Sequence, residues 1–167
     1  MHTLKRISAS GVPAALQKAE RYRLLNESSA AESICRDIIA IEPDNQDALV
    51  VLLLSITDQF PDDLGACVRR AREVLPRLTS EYERAYYAGI ICERQGNAQR
   101  RHSIPGSGSM AYESFVDAME WYEKAESMRP ADVDEAILRW NTCARVLDSD
   151  PHLRPRPVEQ YEPVLED

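Results

Sequence analysis

The sequence lacks a long hydrophobic run. No stretch of about 18 apolar residues, the length that a membrane-spanning helix needs, occurs in the chain. The opening residues, MHTLKRISASGVPAAL, also lack the apolar core of a signal peptide. These absences predict a cytoplasmic protein that does not bind a membrane.

Basic residues are scarce as well. The chain has 20 Lys and Arg against 28 Asp and Glu, which gives a net charge of −8. Affinity for a phosphate backbone comes mostly from clustered Lys and Arg. We therefore expect no nucleic-acid partner.

Cysteine and histidine, the residues that most often form metal and catalytic sites, are few and scattered. The four cysteines have no CxxC spacing, and the three histidines lie near the termini or in a predicted loop. Residues this far apart predict buried free thiols, with no metal site, disulfide framework or cofactor. No Ser/His or Cys/His pairing and no paired carboxylates beside a histidine can be picked out, so we expect a non-catalytic protein. An enzyme would need a cleft assembled from residues that are distant in sequence.

What the sequence does contain is amphipathic helical periodicity. In the segment Ala31–Asn45 the apolar residues recur at steps of three and four, which predicts one buried stripe on a helix. Ser29 and Glu32 have the spacing of a capping box at its start, and Pro43 ends it. Ser80 and Glu83 have the same spacing at the start of a later helix. A single helix of this kind cannot bury its own stripe, so it requires partners.

The same pattern recurs along the chain, without any strand-like alternation. We predict an all-α protein of about seven helices, at about 13–25, 31–42, 46–59, 63–75, 80–95, 111–128 and 133–147.

Three regions follow from this pattern. Residues 1–12 are expected to form a flexible lead-in, residues 13–147 a helical array with an inserted loop at 97–110, and residues 148–167 a proline-rich tail. The loop contains Gly and Ser but lacks the Gly-Lys-Ser/Thr ending of a phosphate loop. The apolar residues of the tail, Val158, Tyr161, Val164 and Leu165, could instead fold back over Trp140, where an eighth helix would be missing.

An internal repeat supports this organisation. The segment from Tyr122 to Asp132, YEKAESMRPAD, aligns without gaps on CRDIIAIEPDN, and Ala118 falls where Ala31 does. Gly89 and Gly96 are seven residues apart, as a small helix-contact residue and a turn glycine. Together these residues resemble the tetratricopeptide repeat (TPR) family over about 13–147. The resemblance implies a right-handed helical solenoid of about three helix-turn-helix repeats and a C-terminal capping helix.

The resemblance also implies a site, because the first helix of each TPR pair lines a concave groove. The side chains that it assigns to the groove are Leu16, Glu20, Val50, Val51, Leu54, Glu83, Tyr86, Tyr87, Ile90, Arg94, Ile137, Leu138 and Asn141. This set is mostly apolar, and a continuous exposed apolar patch marks an interaction site. We therefore expect an interaction module that binds an apolar or amphipathic peptide or helix of a partner protein.

Several alternatives stay open. The groove or the C-terminal face could be buried in a homodimer, the solenoid's own curvature or termini could cover the apolar residues, or the chain could act as a chaperone-like adaptor. A second contact could come from the loop residues Arg100, Arg101 and His102, which could bind an acidic partner. The clamp by which some TPR modules hold acidic chaperone tails is not expected, because its cationic slots correspond here to residues such as Leu16, Glu20 and Val51.

Overall fold

The protein is described by a computed structural model that covers residues 2–102 and 104–156. Within these ranges it forms seven α-helices and two short 3-10 helices, and no β-strand. The α-helices are α1 (Val12–Leu24), α2 (Ser28–Ile39), α3 (Gln46–Thr57), α4 (Leu64–Val74), α5 (Glu81–Arg101), α6 (Ser107–Ser127) and α7 (Glu135–Ser149), and the 3-10 helices are Ala9–Gly11 and Leu75–Arg77. The all-α prediction is confirmed.

Three of the helices begin at a side-chain cap. Asn45, Asp63 and Ser80 precede α3, α4 and α5, and each accepts a hydrogen bond from the backbone N–H three residues on, at 2.9, 3.2 and 3.2 Å. The cap predicted at Ser80 is therefore confirmed.

The capping box predicted at Ser29 does not form. Helix α2 begins one residue earlier, at Ser28, and no side chain caps it. The reason is that the carboxylate of Glu32 is turned into the molecule, where Arg36, Arg70 and Gln59 donate hydrogen bonds to it. Glu32 therefore bonds to these side chains and does not form the capping box with Ser29.

The predicted loop at 97–110 is mostly helical. Helix α5 continues to Arg101 and α6 begins at Ser107, so five residues connect the two helices, and Gly106 among them has a φ of 83°. The added helical turns are stable because they pack together, with Ala98 and Ala111 buried and Ser114 donating a 2.8 Å hydrogen bond to Gln99. Most of the residues predicted as a loop therefore belong to a helical hairpin of α5 and α6.

Helices α5 and α6 approach closely because two glycines on α5 face α6. A Cβ atom on Gly89 would lie 2.5 Å from the Tyr122 ring, and one on Gly96 would lie 3.1 Å from the Phe115 ring. The prediction that Gly89 is a helix-contact residue is confirmed, whereas Gly96 lies inside α5 and not in a turn.

Each helix packs on the next one along the chain, and α1 also contacts α3. This arrangement divides the interior into two large apolar clusters. The first cluster, between α1 and α5, includes Leu49, Leu53 and Phe60, and the second, between α5 and α7, includes Phe115 and Tyr122. Leu54 and Tyr87 pack against both clusters.

The segments that flank the helices also contact the core. Ile7 in the lead-in packs on a small third cluster with Val12, Ile38 and Ala48. At the other end Leu153 is buried in the second cluster. The tail residues predicted to cover Trp140 lie outside the described residues. No helix in the described ranges is long and apolar enough to cross a membrane.

Candidate functional site

One carboxylate joins three of the odd-numbered helices. Asp58, the residue that follows α3, accepts a 2.7 Å hydrogen bond from Arg23 of α1 and another from Arg94 of α5. Arg94 also donates to the hydroxyl of Thr57, at 2.6 Å. All three charged side chains are about three-quarters buried. The network therefore fixes α1, α3 and α5 relative to one another.

A second buried carboxylate joins α5 to the last two helices. Glu93 is 5% exposed, and it accepts hydrogen bonds from the Tyr122 hydroxyl of α6 at 2.6 Å and from Arg139 of α7 at 3.2 Å. Burial and the neighbouring carboxylate raise the pKa of Tyr122, so its hydroxyl remains a donor. Arg139 compensates the charge of the buried Glu93 carboxylate. The Arg139 side chain itself is 41% exposed and reaches the surface.

Helix α5 also carries a cluster of three tyrosines, Tyr82, Tyr86 and Tyr87. The Tyr86 ring is stacked on Tyr82 at 5.9 Å, meets Tyr87 edge-on at 5.1 Å and is tilted against Tyr122 at 5.9 Å, all between ring centroids. Burial raises the pKa of Tyr82, Tyr86 and Tyr87, so the three hydroxyls are uncharged at neutral pH. Half-buried tyrosines that are held in place in this way are a frequent component of protein interfaces.

Helix α7 contributes an exposed apolar residue. Leu138 is 63% exposed, next to Arg139, which lies beside Tyr86. An exposed leucine gains contact area when a partner covers it. We name this surface the odd-helix face and define it by its residues: Val50, Leu54, Asp58, Tyr86, Tyr87, Arg94, Leu138 and Arg139.

Most of the predicted groove residues are accessible. Glu20 and Leu138 are exposed, and nine others are half-buried: Leu16, Val50, Leu54, Glu83, Tyr86, Tyr87, Arg94, Ile137 and Asn141. Side chains from three helices, among them Leu54, Tyr87 and Arg139, meet in one region.

Two predicted groove residues belong instead to the interior. Val51 is 7% exposed in the first cluster, and Ile90 is 2% exposed in the second. Helix α3 is apolar on most of its surface and is surrounded by α1, α2 and α4, so periodicity does not show which apolar residues face outward. Val51 and Ile90 are therefore removed from the candidate site.

The basic residues predicted on a loop lie at the end of a helix. Arg100 and Arg101 form the last turn of α5, and His102 follows it with Nδ1 2.7 Å from the Ala98 carbonyl. These side chains are exposed, and cations stabilise a helix carboxyl end. Their position lets these cations stabilise the end of α5.

The sequence analysis missed the residues that hold the face together, Asp58, Glu93, Tyr122 and Arg139. One signal was present, since Glu93 occurs in the apolar run AGIICE and lies four residues after the contact glycine Gly89. A charge on the buried side of a helix requires a partner. The identity of that partner depends on the packing of three helices.

The cysteine thiols are buried side chains of the core. All four are buried and free. Burial raises the pKa of Cys35 and of Cys143 to about 12, which keeps both thiols protonated. Among the described residues no group of three or more His, Cys, Asp or Glu could hold a metal ion.

Comparisons of the chain with protein-family models, with curated proteins and with solved structures gave no match.

Proposed function

We propose that this chain is a TPR-like, right-handed helical solenoid and that it acts as a non-catalytic interaction module. Its odd-helix face binds an apolar or amphipathic peptide or helix of a partner protein. The observation that carries the proposal is the half-buried tyrosine cluster of α5, which contacts Tyr122 and lies beside Arg139, two residues that pair with the buried Glu93.

The order of the helix contacts supports the solenoid. Every helix packs on its neighbour in sequence, as expected when repeated hairpins stack. The alanines that matched in the internal alignment, Ala31 and Ala118, are both fully buried at helix contacts, and Gly89 allows α5 and α6 to approach.

The rigidity of the odd-helix face supports its role in binding. A preorganised surface loses little conformational entropy when it associates. Asp58 and Glu93 fix the backbones beneath the tyrosines, and the rings fix one another. A partner would therefore meet side chains that are already ordered.

The charges of the face favour a partner whose contact residues are apolar. Arg94 and Arg139 are the cations of this surface among the described residues, and each already pairs with a carboxylate. A peptide carboxylate would have to compete with Asp58 or Glu93 for them. Leucine-like or aromatic side chains, by contrast, would gain contact with Leu138 and the tyrosine rings without breaking an ion pair.

The experiment compares two exposed apolar residues. Leu138 and Ile104 are each 63% exposed, but only Leu138 belongs to the odd-helix face. Tagged full-length chain, its Leu138→Glu variant and its Ile104→Glu variant are used to capture partners from the source cell. We expect a partner that is lost with Leu138→Glu and retained with Ile104→Glu. Equal capture by both variants would show that the face has been assigned wrongly.

Light scattering on the same three proteins tests the homodimer that the sequence left open. If the odd-helix face binds a different protein, the purified chain is a monomer. A dimer that Leu138→Glu dissociates would replace the proposed partner with a second copy.

A further inference from the structure

Three helices carry a carboxylate in their first turn, next to a residue of the odd-helix face. These carboxylates belong to Asp47 of α3, Glu83 of α5 and Glu135 of α7. Three residues further along each helix are the face residues Val50, Tyr86 and Leu138. Residues three apart on a helix are neighbours on its surface. We name the three carboxylates the acidic edge of the odd-helix face.

The starts of these helices lie close together. The Gln46 side chain at the start of α3 accepts a 2.9 Å hydrogen bond from the Thr79 N–H, which directly precedes the cap of α5. The tyrosine cluster lies between the carboxylates of α5 and α7. Burial raises the pKa of Tyr82, and the negative charges of Glu135 and Glu83 raise it further. The acidic edge therefore borders the tyrosine cluster.

The cations of the chain leave the acidic edge uncompensated. Within the described ranges none of its three carboxylates forms an ion pair. Eight acidic residues and three arginines occur in the segments at the starts of α3, α5 and α7, residues 42–47, 77–84 and 129–135. The arginines, Arg77, Arg84 and Arg129, already bond to carbonyl or carboxylate oxygens of the chain. A net negative charge remains beside the tyrosine cluster.

A polar atom of the tyrosine cluster also lacks a partner. The Tyr82 hydroxyl is buried and has no hydrogen-bond partner in the described part of the chain. A buried hydroxyl without a hydrogen bond destabilises the fold. A cationic donor that reaches its oxygen from the acidic edge would supply the missing bond. The hydroxyl and the carboxylates thus favour the same kind of ligand.

Carboxylates in a first turn also interact favourably with the helix dipole. That effect requires an acidic residue near the start of the helix, but it does not require a particular side of the helix. In α5 the two sides differ, because Glu81 lies 3.7 Å from Arg84 whereas Glu83, next to Tyr86 and Tyr87, has no cation. The helix dipole accounts for the presence of these acids and not for their common position beside the face.

We propose that the partner segment bound by the odd-helix face is basic. Its Lys or Arg side chains lie on the acidic edge, and its apolar side chains cover the tyrosine cluster. This inference rests on the function proposed above and names the charge of the partner. Such a segment leaves Asp58 and Glu93 with the arginines that they already bind. It is therefore complementary to the face both in charge and in apolar character.

A random peptide library displayed on phage tests the charge of the partner directly. It is selected on the full-length chain, on an edge variant, Glu83→Gln/Glu135→Gln, and on a control variant, Glu120→Gln/Glu126→Gln. The control removes two exposed carboxylates of α6, so the two variants have the same net charge. We expect enrichment of Lys or Arg together with apolar residues on the wild type and on the control variant. The edge variant should enrich apolar residues without the excess of Lys or Arg.

The best selected peptide is then labelled and titrated with the same three proteins, after circular dichroism has shown that all are folded. The edge variant should bind it about three- to tenfold more weakly at low salt, whereas the control variant should bind it within about twofold of the wild type. The difference should decrease as salt is added, because exposed charges are screened.

The basic partner and the odd-helix face fail in different ways. Selected peptides without an excess of Lys or Arg, or equal binding to the edge and control variants, would overturn the basic partner alone. A selected peptide whose affinity does not change with Leu138→Ser would overturn the odd-helix face as the binding surface. A selection that enriches no peptide would overturn both.

Discussion

At the scale of single residues, two glycines on helices make a matched pair. A methyl group on Gly89 would collide with the Tyr122 ring, whereas one on Gly65 would have no atom within 4 Å. Gly89→Ala should therefore lower the free energy of unfolding by about 1–3 kcal/mol through overpacking. Gly65→Ala should raise it by about 0.5 kcal/mol, because alanine favours the helix. Urea unfolding of both variants checks the opposite signs.

The Glu32 carboxylate should make the stability of the fold depend on pH. Burial alone would raise the pKa of its carboxyl, but hydrogen bonds from Arg70, Arg36 and Gln59 outweigh that effect and hold the pKa below its ordinary value. A group whose pKa is lowered by folding stabilises the fold above its unfolded pKa, and this contribution disappears as the pH falls through the folded pKa.

Glu32→Gln should therefore cost on the order of 2 kcal/mol at pH 7 and less at pH 3. Thermal unfolding across this range, with the exposed Glu120→Gln as control, measures the difference. An equal cost at both pH values would contradict the assigned ion pairs.

At the scale of the helices, the two serines predicted as caps, Ser80 and Ser29, should contribute differently to stability. The Ser80 hydroxyl accepts the Glu83 N–H at the start of α5, whereas Ser29 lies within α2 and caps nothing. Ser80→Ala should cost about 1 kcal/mol of stability. Ser29→Ala should change stability by less than about 0.5 kcal/mol. Losses of equal size would show that the caps have been assigned wrongly.

The helices themselves could be predicted from the sequence because each has local signals. Periodic apolar residues, Pro43 and the Ser80 cap depend on a few neighbouring positions. Helix α5 was predicted too short because Gly96 is a turn signal locally, while its actual role, contact with Phe115, involves a distant residue.

The same distinction applies to the candidate site. The resemblance to TPR repeats assigned Tyr86, Tyr87 and Leu138 to an accessible surface, and these residues are half-buried or exposed. It did not place Val51 or Ile90 in the core, since those positions are covered by other helices. Ion pairs such as Arg139 with Glu93 join residues 46 positions apart and leave no local pattern.

At the scale of the whole molecule, the two large clusters meet at Leu54 and Tyr87. Contact across this boundary couples the unfolding of the two halves. Leu54→Ala should cost about 2 kcal/mol and broaden the calorimetric transition or split it in two. Val50→Ala, which affects the first cluster only, should lower the midpoint while a single transition is kept. A split with Val50→Ala but not with Leu54→Ala would place the boundary elsewhere.

The burial of the four thiols has a practical consequence. Cys35 and Cys67 lie in the first cluster, and Cys92 and Cys143 lie in the second. A maleimide reagent reaches any of them only after the surrounding helices separate. The rate at which each cysteine is alkylated therefore reports the opening of its own half. The native sequence thus carries two pairs of reporters of local opening, and no cysteine has to be introduced.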